Sequence, residues 1–208
     1  MNQAGNIKVQ TINHLGIIAG IIDEIGIVEI INEQLGIKPQ EKLSSGIIVK
    51  SIILNAMGFV SRPLYLFPQF FNDKATEHLF GEGIVPEDFN DDKIGRVMDK
   101  LYQFGLTNIF LKIALTAFKK YGIDNKYSHL DSTSISLQGD YAICQTLNEE
   151  NLEPIPIKIV RGHSKDKRPD LKQFLINLIA SGDGGVPLFL ECGNGNDNDR
   201  AKESQITI

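Results

Sequence analysis

A chain of 208 residues has room for one large domain or two small ones, and 42% hydrophobic residues is enough for a buried core. The net charge of -5 gives no whole-chain signature of nucleic-acid binding, so any such role must rest on a local patch. Cys144 and Cys192 lie too far apart in sequence for a Cys-x-x-Cys metal site and form no disulfide framework, so a reducing cytoplasm is the expected compartment.

The opening MNQAGNIKVQ lacks the apolar core of a signal peptide, and residues 1–11 are expected to form a flexible N-terminus. The apolar runs that follow are interrupted by charge and are too broken to span a bilayer. From Ile12 the period is helical. Leu15, Ile18, Ala19 and Ile22 predict one short helix, and Ile27, Ile30, Ile31 and Leu35 a second, with Gly26 as the break and Gly36 as the stop. Ser44 or Ser45 caps GIIVKSIILNAMGFV, a helix apolar nearly all round and so expected to be buried up to Pro63. LYLFPQFFNDKATEHLF predicts short helical turns packed on it. Asn90 or Asp91 caps a helix striped by Ile94, Val97, Met98 and Leu101. Another helix starts at Thr107 and closes on Lys119, Lys120 and Gly122. Residues 12–124 thus read as an all-helical domain.

At Asp124 the character changes. YSHLDSTSISL alternates with period two and predicts a strand, and AICQTLN predicts another. NEENLEPIPIK and RGHSKDKRPD read as loops. LKQFLINLIAS and GVPLFLEC, joined at SGDGG, predict a hairpin, although the first run alone fits a buried helix equally well. The fold class is therefore α+β.

Four features are candidates for chemistry. Asp131 sits within the alternating HLDSTSIS, where a buried carboxylate is costly unless it is paired or binds a metal. Its hydroxyl neighbours suit an oxygen-ligand site for Mg2+. The plain alternative is an edge-strand aspartate bonded to Ser132 or Thr133. The second feature is a basic run in an acidic chain. It comprises Arg161, His163, Lys165, Lys167, Arg168 and Lys172, and it could contact phosphates, or be a solvated loop in which Asp166 and Asp170 are interleaved. GNGNDNDR lacks the spacing of a calcium loop and reads as a plain turn. His14, His78 and His129 are scattered, with no second ligand at metal spacing.

HLDSTSIS, GHSKDKRPDLKQFL and DGGVPLFLECGNGNDNDR together resemble bacterial insertion-sequence transposases of the RNase H-like, Asp-Asp-Glu type. LNAMGFVSRPLYLFPQFF and FNDDKIGRVMDKLYQFG are similar to that family's helical N-terminal domain, and the resemblance covers about residues 12–200. It implies that residues 125–208 hold the first three strands of an RNase H-like catalytic domain. It also implies that Asp131 is the first of three catalytic carboxylates and a ligand of Mg2+ or Mn2+. In that family two metal ions activate a water or 3′-hydroxyl and stabilise the leaving oxygen in attack on a DNA phosphate. The implied partner is DNA at the element's terminal repeats. A homo-oligomer is compatible with it, whereas a membrane or a small-molecule substrate is not expected.

The second aspartate and the glutamate of that pattern have no counterpart up to Ile208, because Asp197 and Asp199 fall before the second aspartate's position. The expectation is a C-terminally truncated transposase that holds the cation weakly and does not cut DNA. Two further readings are a DNA-binding fragment that competes with the intact enzyme and a protein-interaction domain.

Overall fold

The computed structural model describes residues 9–124, 126–141, 157–163 and 168–197. The chain has an α+β architecture, a helical stretch followed by a three-stranded antiparallel sheet that does not close. It divides into two compact units, Met1–Phe104 and Gly105–Ile208.

The first unit contains α1 (Leu15–Ile25), α2 (Ile27–Leu35), α3 (Ser45–Ala56), α4 (Phe67–Phe71), α5 (Thr76–Phe80) and α6 (Asp91–Phe104), with single 3-10 turns at Leu64–Leu66 and Pro86–Asp88. Gly26 separates α1 from α2 in a left-handed conformation, φ 83°, that costs glycine nothing. Leu15, Ala19 and Ile22 of α1 and Ile27, Ile30 and Ile31 of α2 are buried at helical spacing. Ser44 caps α3 by accepting from the Ile47 amide at 3.3 Å. Asn90 accepts from the Lys93 amide at 2.9 Å at the start of α6. Phe71 centres an aromatic cluster, with ring centroids 4.8 to 5.6 Å from those of Phe67, Phe70, Phe80 and Phe89.

Three sequence expectations change here. The apolar helix ends at Ala56, well before Pro63, because the Asn55 side chain brackets the Arg62 backbone with bonds of 2.8 and 2.9 Å and folds the chain back. Met57, Phe59 and Val60 are left exposed. Thr11, expected in the flexible N-terminus, is instead held between Asp73 and Ala75 by backbone bonds of 2.8 and 3.0 Å. Lys50, in the helix read as buried, is 2% exposed and reaches both carboxylate oxygens of Asp23 at 2.6 and 2.7 Å. Its four-carbon stem packs in the core while the ammonium meets a partner nearer the surface.

The second unit contains α7 (Leu106–Tyr121), β1 (Ser128–Leu137), β2 (Lys172–Ser181) and β3 (Pro187–Gly193). The sheet order is β1-β2-β3, and α7 packs against β3. The helix assigned from sequence to the 12–124 domain therefore belongs to the unit that carries the sheet. SGDGG forms the expected turn: Gly184 and Gly185 have φ of 70° and 63°, and the Ser181 hydroxyl donates to the Asp183 carbonyl at 2.6 Å. The strand expected at AICQTLN lies outside the described residues. Among the described residues no single helix is long and apolar enough to cross a membrane.

A glycine sets the approach of α2 to α3. A Cβ on Gly46 would overlap the Val28 carbonyl oxygen, and the Gly46 amide donates to Asn32 Oδ1 at 2.8 Å. Alanine favours a helix over glycine by about 1 kcal/mol, but forcing two packed backbones apart costs ~1–3 kcal/mol. Gly46→Ala is expected to lower the stability of the chain by up to roughly 2 kcal/mol in urea denaturation. An unchanged or higher midpoint would contradict this close packing.

Candidate functional site

The register of the sheet decides where each candidate side chain goes. Asp131 pairs with Leu178, and Ser132 with Asn177. Directly paired residues share a face, and neighbours along a strand alternate between faces. One face therefore carries Ser132, Ser134 and Ser136 from β1 and Gln173, Leu175, Asn177, Ile179 and Ser181 from β2. All five of these β2 residues are buried. The other face carries His129, Asp131, Thr133 and Ile135, opposite Ala180, Leu178, Ile176 and Phe174.

Asp131 is exposed, which corrects the expectation of a buried carboxylate. The alternation turns Ser132, not Asp131, inward. Among the described residues no hydrogen bond or ion pair engages the Asp131 carboxylate, and its bonds to Ser132 or Thr133 of the plain alternative do not form. Ser132 bonds instead to Asn177 Oδ1 at 2.7 Å. Asp131 is an ionisable oxygen donor on an outer strand of the described sheet, flanked on its face by His129 and Thr133. Among the described residues no three His, Cys, Asp or Glu side chains gather closely enough to hold a metal ion.

The basic run lies at the other end of the sheet. Gln173, which pairs with Ser136 of β1, also pairs with Val160, and Ser136 is five residues along the strand from Asp131. At 3.3 Å per residue that is about 17 Å. The structure therefore does not bring Asp131 and the basic residues together. Arg161 and His163 are exposed. Arg168 forms a bidentate pair with Asp170 at 2.9 and 2.7 Å, which holds the Asp170 carboxyl below its usual range and raises the guanidinium. Lys172 lies 3.5 Å from an oxygen of Asp140. Lys165 and Lys167 lie outside the described residues.

GNGND forms a turn, as read from the sequence. The Asn194 amide and side chain donate to the two Asp197 oxygens at 2.9 and 3.2 Å, and the Asp197 amide donates back to the Asn194 carbonyl at 3.1 Å. Asp199 is outside the described residues. Gln173 and Asn177 were missed as buried polar residues, being 2% and 1% exposed. The available signal was their period-two spacing with Leu175 and Ile179 inside an apolar run.

Comparison with known proteins adds one family. The model described as a domain of unknown function (DUF4277) matches residues 7–115, more than half of the 208-residue chain. The chain belongs to the DUF4277 family. No curated protein and no solved structure matches it. The DUF4277 match covers α1–α6 and the first part of α7, and Asp131 and the three strands lie beyond it.

Cys192 of β3 shares the Asp131 face, through its pairing with Ile176. Burial pushes its thiol above the usual range, and the neighbouring Glu191 adds to the shift. Near neutral pH, Cys192 is expected to react with a thiol alkylating agent at least ~5-fold more slowly than free cysteine. Peptide mass spectrometry over time reads this directly, and labelling at the free-cysteine rate would contradict it.

Proposed function

We propose that this protein is a DNA transposase by descent, of the class that acts at element ends through metal-dependent phosphoryl transfer, and that residues 1–208 alone bind those ends without cutting them. The observation that carries this reading is Asp131, an exposed carboxylate in β1 of a three-stranded antiparallel sheet. That is where the resemblance to RNase H-like transposases expects the first metal carboxylate. Exposure and the lack of a described partner leave its oxygens available to a divalent cation, which fits the hard-cation preference for oxygen donors. A cation held there would supply Lewis acidity at a DNA phosphate.

The chain's own residues have two roles. Asp131 would hold the cation, and the exposed Arg161 and His163 hold the DNA backbone. Asp131 lies about 17 Å along β1 from Ser136, the end of the sheet at which Val160 and the basic segment pair, so the two groups would meet different stretches of one duplex. Among the described residues Asp131 has no second carboxylate gathered beside it, as a two-cation centre needs, so residues 1–208 alone are expected to bind DNA without cutting it.

The test uses the full 208-residue chain with a duplex from the regions flanking its own gene and a scrambled duplex. Fluorescence anisotropy is expected to show tighter binding to the first. Log affinity should fall against log salt with a slope of about -3, corresponding to roughly three released counterions. No Mg2+-dependent nicking is expected. Absence of salt-dependent binding, or nicking that survives Asp131→Ala, would overturn the proposal.

A further inference from the structure

Two motif segments, RGH and GNGND, meet at one side chain. Gln173 is 2% exposed, and its Nε2 donates to the Gly195 carbonyl at 2.8 Å and to the His163 carbonyl at 3.4 Å. Its backbone exchanges both bonds with Val160, at 2.9 and 3.2 Å. Around it the two segments also tie directly to each other. The Gly195 amide donates to the Lys158 carbonyl at 2.9 Å, and the Lys158 amide donates to Asn194 Oδ1 at 2.8 Å.

The joint has no spare volume. A Cβ on Gly162 would overlap the Gly195 carbonyl oxygen, and a Cβ on Gly195 would overlap the Gln173 carbonyl oxygen. Val160 and Gly162 are half-buried in this joint, and Arg161 and His163 are exposed. The joint sets the position of these two exposed basic side chains, of which Arg161 lies near enough to Asp170 to help hold that carboxyl down.

We infer that Gln173 is a positioning residue for DNA binding. Its amide locks residues 158–163 to the turn after β3, so that Arg161 is held in the orientation that meets a phosphate. Gln173 itself is buried and touches no DNA. The inference rests on the DNA-binding reading above and adds the device that orders it.

The experiment combines two readouts on the full chain. The first is amide hydrogen exchange at Val160 and Gly195, which needs no DNA. Gln173→Met keeps the side-chain length and removes the donor, and it is expected to raise exchange at both amides at least ~10-fold while leaving α1–α6 protected. The second is a double-mutant cycle on affinity for the flanking duplex. Arg161→Ala and Gln173→Met are each expected to weaken binding ~5–10-fold, with almost no further loss when combined, because both remove one contact. Asn194→Ala, which releases the same joint from its other side, is expected to behave like Gln173→Met and replaces it if that variant unfolds. Unchanged exchange at Val160 and Gly195 would refute the joint whatever the DNA result. Raised exchange with fully additive losses would refute the positioning role alone. A wild-type chain that binds no DNA would refute the DNA reading, and the positioning role with it.

Discussion

β2 is the constraint on which the second unit depends. It lies between β1 and β3, and its inward residues, Gln173 to Ser181 at every second position, fix which side of the sheet is interior. Because strand side chains alternate strictly, a slip of one residue between β1 and β2 would exchange Asp131 with Ser132. The slip would bury a carboxylate and expose the hydroxyl that Asn177 uses. The Ser132–Asn177 bond of 2.7 Å and the apolar contacts of Leu175 and Ile179 both favour the observed register. The exposure of Asp131 thus follows from the chemistry of its neighbour and of the strand opposite.

The same strand connects the sheet to the basic segment. Gln173 is at once a ladder residue and the donor to two loop carbonyls, so the first residues of β2 carry the burden of ordering both loops. A buried amide with its donors satisfied is specific where an apolar residue would not be, since it fixes which carbonyls must face it. The polar inner face continues with Ser134 and Ser136, whose hydroxyls, with the Asn177 amide nitrogen, find no partner among the described residues. Polar groups of this kind are commonly met by ordered water.

Local patterns were readable and distant partners were not. Period-two alternation with β-branched residues revealed β1, and SGDGG between two apolar runs revealed the β2–β3 hairpin. Gly26, Ser44 and Asn90 announced helix boundaries through their own conformational chemistry. The end of α3 was missed because apolar residues continue from Met57 to Val60, whereas the chain turns on side-chain bonds from Asn55. Lys50 was missed because its partner Asp23 lies on another helix. At the site, the sequence singled out Asp131 as a strand residue but not its face, which depends on β2. The basic residues were visible as composition, but nothing local showed that Arg168 pairs with Asp170 or that a buried glutamine anchors the segment beside Arg161.

The most direct measurement is the paramagnetic broadening of backbone amide signals by Mn2+ in the folded 208-residue chain. If Asp131 is the cation-binding carboxylate, broadening will centre on His129 to Thr133 and on Leu178 across the ladder, and it will disappear in Asp131→Asn. Broadening centred elsewhere, or unchanged in that variant, would contradict a metal role for Asp131 and with it the proposed chemistry.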